Sequence, residues 1–187
     1  MAPGRFACAI NQPPMRRWTR SCWLDWVVNR VRVARRRALP APHLLRRVFD
    51  RAKDFAEARA LLTETPIALP AFFTLSGVEA DQSCVIERQE DQAALHDGPA
   101  AVANHWLAFA TPGRDRGMDS RDRLAMMLNL RDRARGRFDW VGPPILNPTT
   151  RLVAEANAAT GLLRVAGVEA HGRATHMFEM PPHGAVS

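Results

Sequence analysis

The sequence is short of several things at once. Of its 187 residues only Lys53 is a lysine, none is a tyrosine, and three are cysteines. Cys8, Cys22 and Cys84 cannot all pair and form no CxxC, which excludes a disulfide scaffold and a zinc ribbon. No run approaches the ~20 apolar residues that a membrane-spanning helix needs. The N-terminal residues carry no apolar h-region, so they do not read as a secretory signal. Without an address in the sequence, a cytoplasmic location is the default expectation. The motifs GxGxxG, GxxxxGK[ST], HExxH and GxSxG are all missing. His171, His176 and His183 have no carboxylate or cysteine at metal-ligand spacing. No metal and no cofactor is therefore expected.

The composition itself is that of an ordinary globular protein, with 47% hydrophobic and 24% charged residues. Its size suits a single domain over residues 1–187 with a real core, ending in a frayed tail at 180–187. The charge is lopsided. Residues 1–50 hold eleven arginines against two carboxylates, Asp25 and Asp50, a net +9. The remainder holds fifteen basic and seventeen acidic residues, a net −2.

Arg16-Arg17-Trp18-Thr19-Arg20, together with Arg35-Arg36-Arg37, interleaves cations with an aromatic. One reading is a non-enzymatic basic module, in which residues 16–37 bind nucleic acid or an anionic membrane surface. The plainer reading is the solvated face of an amphipathic helix whose tryptophans lie in the core. No nucleic-acid motif accompanies the charge.

Hydrophobic periodicity predicts a helix from a Ser21 cap to about Arg36, with Trp23, Val27, Val31 and Ala34 on one face and Asp25, Asn29, Arg32 and Arg36 opposite. Pro40 and Pro42 break it. A short helix follows at about 42–51, then a third at 55–63, capped by Asp54, with Phe55, Ala58, Leu61 and Leu62 as its apolar face. Strands are expected at Arg5–Asn11, Leu69–Ser76, Ser83–Gln89, Ala93–His96 and Ala100–His105. A helix capped by Asp119 runs to about Arg135. Thr150–Asn157 and Leu162–Glu169 alternate as a hairpin, with a last strand at Ala174–Phe178. This order implies an α+β fold with mainly antiparallel sheets. The three cysteines read as small buried hydrophobes.

Asn104 stands at the end of an expected strand, where its amide N–H is able to donate to a developing oxyanion. Arg121, in the first turn of a helix, is able to order a carboxylate or bind a carbonyl. On spacing alone, a turn Asn and a surface Arg are the simpler account.

A family resemblance carried by these same residues changes that balance. The run Phe49-Asp50, Asp54-Phe55, Glu57-Ala58, Leu61-Leu62, Pro66-Ile67 and Pro70-Ala71-Phe72-Phe73 resembles a stretch of the acid ceramidase and N-acylethanolamine acid amidase family. Gly77 and Ser83-Cys84-Val85-Ile86-Glu87-Arg88 resemble the family's "GCVITR" strand. Asn104-His105-Trp106 is similar to its "TNYDRW", Asp119-Ser120-Arg121-Asp122 to its "DDRR", and Pro144-Ile145-Leu146-Asn147 with Arg151-Leu152 to its closing hairpin. Upstream, Pro3-Gly4-Arg5-Phe6 through Asn11 is similar to "RPGLFSLTLNER". The likeness spans nearly the whole chain in order, through motifs that are loose individually.

The resemblance implies an N-terminal nucleophile hydrolase, a four-layer αββα sandwich related to choloylglycine hydrolases. Such enzymes cleave linear amides, among them N-acyl amides and ceramides, through a cysteine freed at a chain terminus by autoproteolysis. It implies that Asn104 serves the oxyanion hole, that Arg121 is the active-site arginine, and that Asn11 and Gln12 line the substrate. Gln12 stands where the family has Glu, and His105 where it has Tyr. The family's nucleophile precedes every motif matched here. The resemblance therefore implies a C-terminal portion of a larger amidase domain, giving a partial αββα sandwich without a nucleophile and inactive alone. Its expected partners are a small-molecule N-acyl amide, a complementing N-terminal segment and an anionic lipid surface, with no nucleic acid.

Overall fold

A computed structural model describes residues 1–130 and 136–180. Its first sheet is built from β1 (Ala7–Asn11), β3 (Ala71–Ser76), β4 (Ser83–Arg88) and β5 (Ala93–Asp97), all antiparallel in the order β1-β3-β4-β5. The register sets Phe73 opposite Ile86 and Phe72 opposite Glu87. Because side chains alternate along a strand, the two faces of this sheet carry different chemistry.

One face is the main core. Helices α2 (Ala41–Arg51) and α3 (Phe55–Glu64) bring Leu44, Val48, Phe55, Ala58 and Leu62 against Phe73, Leu75, Cys84 and Ile86. The sequence explains both helices. Pro42 sits in the first turn of α2, where its missing N–H costs nothing. Asp54 caps α3 by accepting the Glu57 N–H (2.8 Å), and Glu57 accepts the Lys53 N–H in return (2.9 Å). The C-terminus of α3 is closed from the sheet. The Arg88 guanidinium, almost wholly buried, donates to the Leu62 carbonyl and to the Thr65 carbonyl (2.8 Å). Those carbonyls have no partner within the helix.

The other face carries Phe72, Val85 and the fully buried Glu87. It is covered by the 99–110 segment, through Trp106 packed edge-on against Phe72 (4.8 Å between ring centroids) and Phe109 against Trp106 (5.4 Å). The strand expected at Ala100–His105 is absent: the segment is irregular. Its N–H groups find side chains rather than a neighbouring strand. Leu107 and Ala108 donate to the Glu87 carboxylate (2.8 and 3.1 Å), and Asn104 donates to Ser120 Oγ (2.8 Å).

A second antiparallel sheet has the order β10-β8-β7, from β7 (Leu152–Asn157), β8 (Leu162–Glu169) and β10 (Phe178–Met180), with β9 (Gly172–Arg173) paired to β8. The last strand is thus shifted and split relative to the expected Ala174–Phe178. Val153, Ala166 and Val168 form a small core with Phe138, Trp140, Val141 and Leu146. Glu155 fixes the segment above it by accepting from the Phe138 N–H and Trp140 Nε1 (both 2.7 Å). Gly4 N–H to the Ala158 carbonyl (2.8 Å) ties this sheet to the chain before β1.

The remaining elements are α1 (Cys22–Arg35), the two-stranded ribbon of β2 (Met15–Arg16) with β6 (Gly113–Arg114), and α4 (Ser120–Leu130). The rest of the helix expected to reach Arg135 falls on residues 131–135, outside the described residues, as do His183 and residues 181–187 of the expected tail. Among the described residues no helix is long and apolar enough to cross a membrane.

Two expectations for α1 are overturned. The tryptophans are not core residues: Trp23 is 67% and Trp26 51% exposed. The residue buried on this helix is Asp25, from the face expected to be solvated. Cys22 is exposed as well, unlike the buried Cys84. The cause is a polar seam. Asp25 accepts from the Trp18 and Thr19 N–H groups (3.0 and 2.7 Å), from the Thr19 hydroxyl and from Arg114 Nε (2.7 Å). Asn29 Nδ2 donates to the Arg16 carbonyl (2.9 Å). Burial by itself would raise the Asp25 pKa, but these donors outweigh it and hold the carboxyl at about 2.

Candidate functional site

The candidate site lies where the end of β1, the irregular 99–110 segment and the start of α4 meet. Asn104 is its centre and is held at three points. Its N–H donates to Ser120 Oγ (2.8 Å), its Nδ2 donates to the Gln12 carbonyl (2.7 Å), and its Oδ1 accepts from Arg123 Nη2 (2.9 Å). A carboxamide has two N–H donors, and the bond to Gln12 takes one of them. The charge on Arg123 polarises the amide and strengthens its remaining donor.

Gly117 makes the Arg123 contact feasible. Its φ is +72°, a left-handed conformation that suits glycine, and an added Cβ would lie 3.0 Å from Arg123 Nη2 and 3.5 Å from Asn104 Oδ1. Arg123 Nε is also anchored, on the Met118 carbonyl (2.8 Å).

The sequence-derived residues fare differently. Gln12 reaches the site with both backbone and side chain, since its Oε1 also accepts from Arg116 Nη1 (2.6 Å). Asn11 lies beside it as the last residue of β1, in register with Phe72. Arg121 is exposed on α4 and does not make the contact to Asn104; Arg123 does. A helical signal for this existed. Residues three apart share a face, so Ser120 and Arg123 reach Asn104 together while Arg121 points elsewhere.

Arg121 instead acts on His105 at a distance. Burial is the largest influence lowering the His105 pKa below its ordinary 6.5, the positive field of Arg121 adds to it, and Glu87 and Asp115 oppose. His105 Nδ1 is 2.8 Å from Ser120 Oγ. The tautomer of the imidazole sets which of the two donates, and the same Ser120 oxygen accepts from the Asn104 N–H. Sequence reasoning missed Ser120, His105, Arg116 and Arg123 because each acts through a contact between distant segments.

From Gln12 and Arg116 a groove of about 780 Å³ runs alongside α1. Pro13, Pro14, Met15, Val33, Leu69 and Pro70 supply its apolar wall, and Arg16, Arg30 and Arg36 are among its cations. Cys8 lies in mid-strand, where burial, then repulsion from Cys84, raises it to about 12, and burial raises Cys84 too.

No protein-family model matches the chain. Acid ceramidase from Pan troglodytes and from Homo sapiens are each 29% identical to it over 91 residues, and that from Macaca fascicularis is 28% identical over the same length. Each match covers 49% of this chain and 22% of the relative. In structure, the chain superposes on the Caenorhabditis elegans N-acylethanolamine-hydrolyzing acid amidase ortholog with a TM-score of 0.58 and 15% identity, over 96% of this chain and 74% of that one. The chain thus resembles acid ceramidase over about half of its sequence, and an N-acylethanolamine-hydrolyzing acid amidase ortholog in fold. Its α+β fold, with helices and antiparallel sheets, is similar to that of this amidase ortholog. The matched region spans about a fifth of the curated relatives' length.

Proposed function

We propose that this chain supplies the oxyanion-binding and acyl-binding side of a site that hydrolyses linear amides of the N-acyl amide or ceramide-like class. The observation that carries the reading is Asn104: a carboxamide fixed at three points, one of them Gln12, which lines a groove with an apolar wall. A thiol attacks the amide carbonyl, and the carbonyl oxygen takes up negative charge. The second Nδ2–H of Asn104 donates to that oxygen, the amine leaves with a proton, and water then releases the acid from the thioester. The acyl chain lies along Met15, Val33, Leu69 and Pro70, where burial of its methylenes favours binding. In this reading the attacking thiol is an N-terminal cysteine that is none of Cys8, Cys22 and Cys84. Asn11 and Gln12 border the substrate, and Arg121 keeps His105 neutral beside Ser120.

The test measures binding and chemistry separately. A long-chain N-acylethanolamine should displace a fluorescent fatty-acid probe saturably, and Asn104→Ala should weaken it roughly tenfold, the worth of one hydrogen bond. Absence of displacement would sink the amide-site reading. Hydroxylamine treatment should release no acyl hydroxamate from the chain alone, and a trapped acyl group would overturn the assignment of the nucleophile.

A further inference from the structure

A second cavity, of about 330 Å³, opens on the C-terminal sheet and shares no residue with the groove along α1. Val153 and Val168 line it from β7 and β8, and Phe138 and Leu146 from the segment packed on them. Arg137 and Arg173 bring charge to the lining, which contains no carboxylate. Arg173 stands directly opposite Val168 in the β8–β9 pair, so the two share a face.

The turn that delivers Arg137 and Phe138 is costly. Both have left-handed φ values, +58° and +65°, which a side chain disfavours. Glu155 holds them there by accepting their N–H groups (2.8 and 2.7 Å). Such conformations persist only where the surroundings impose them, and they cluster at ligand clamps. The carboxylates of this region are committed elsewhere. Glu155 also faces Arg164 (3.7 Å), and Glu179 accepts from Arg164 Nε (2.9 Å). The Glu179 carboxyl is held low first by that bond, and further by the charges of Arg164 and Arg137. Among the described residues, Arg137 and Arg173 form no ion pair.

We propose that this cavity binds a small apolar monocarboxylate, an acid of medium chain length. This goes beyond the amide site and does not depend on it. The apolar wall favours hydrocarbon, and guanidiniums in a lining free of acid suit a carboxylate, whose two oxygens match their forked donors. Volume sets the length. At about 30 Å³ per water-sized group, the cavity holds about ten non-hydrogen atoms, as many as octanoate has. An inorganic anion would leave the apolar wall unused.

Titration of the full chain with sodium octanoate, followed by amide NMR, tests this. Saturable shifts are expected at Val153, Val168 and Gly172, and not at Met15 and Val33 in the groove along α1. Octanol, with the same tail and no charge, should bind about tenfold more weakly. Arg173→Gln should weaken octanoate about tenfold and leave octanol unchanged. Arg137→Asn should do the same, since asparagine tolerates a left-handed turn. Both arginines are exposed, so circular dichroism and Tm of the unliganded variants should match the parent. Arg46→Gln, exposed on α2, should change neither affinity and controls for the overall positive charge. The proposal is overturned by no saturable binding, by shifts confined to the α1 groove, or by octanol binding as tightly as octanoate. It is equally overturned by an octanoate affinity that both arginine variants leave intact, or that Arg46→Gln lowers as much as they do.

Discussion

Helices α1 and α2 have comparable sequence credentials and opposite fates. Both carry an apolar stripe and a polar stripe, and both are rich in arginine. In α2 the stripe of Leu44 and Val48 is buried to the last atom, and the arginines face water. In α1 the carboxylate is buried and the indoles face water. An amphipathic pattern specifies that a helix has two faces, but which of them turns inward depends on what the neighbouring elements offer. The sheet offers α2 an apolar surface of Phe73, Leu75 and Ile86. Strand β6 offers α1 the arginine Arg114, and the residues that follow β2 offer it the Trp18 and Thr19 N–H groups. A buried carboxylate with that many donors is stable where it stands, and removing any partner leaves it costly.

The contrast breaks most visibly by substitution in the cores. Phe73→Ala should cost about 3–5 kcal/mol in denaturant unfolding, as a large buried aromatic does. Trp23→Ala should stay within about 0.5 kcal/mol, as an exposed position does. Equal costs would mean that α1 is packed like α2. Next in size is Asp25→Ala, which strips the seam of its acceptor and should expose the α1 amides to hydrogen exchange while the α2 amides stay protected. The acid dependence has a definite sign. The folded pKa of Asp25 lies below its ordinary 3.8, so its stabilisation is fully present above 3.8 and is lost as pH falls towards about 2. Protection of α1 that survives unchanged at the bottom of that window would refute the seam.

Smaller effects probe the site between them. Gly117→Ala forces a side chain into a left-handed conformation against Arg123 and should cost about 1 kcal/mol. It should also weaken N-acyl amide binding by loosening Asn104. Arg121→Gln should raise the His105 pKa, read by NMR titration, because a neighbouring positive charge is removed. His105 has a folded pKa below 6.5, so its environment stabilises the fold above 6.5 and that contribution is lost as pH falls below it. An unchanged titration in Arg121→Gln would remove Arg121 from any role at this site.

Much of the architecture is legible along the chain. Ser21 and Asp54 act as the helix caps their positions announce, and Phe55, Ala58 and Leu62 face inward at the expected spacing. The β3–β4 and β7–β8 hairpins sit where alternation and turn residues place them. Asn104 and Gln12 stood out from sequence and are in contact. Ser120 and Arg123 did not, because a polar residue at the start of a helix looks the same whether it meets solvent or a carboxamide from another segment. The stretch Ala100–His105 departs from the expected strand for a related reason: its apolar alanines suit a strand, but Ser120 captures the Asn104 N–H, and just beyond it Glu87 captures those of Leu107 and Ala108.

Local chemistry therefore determined where the chain turns helical or extended, because caps, prolines and periodicity act over a few residues. The same sequence set an unequal charge, with its excess in the first fifty residues. Only the tertiary structure decided which face of α1 is buried and which arginine holds Asn104. Both depend on donors and acceptors that lie far apart in the chain, Arg114 for Asp25 and Arg123 for Asn104, and meet only when the sheets and helices are assembled.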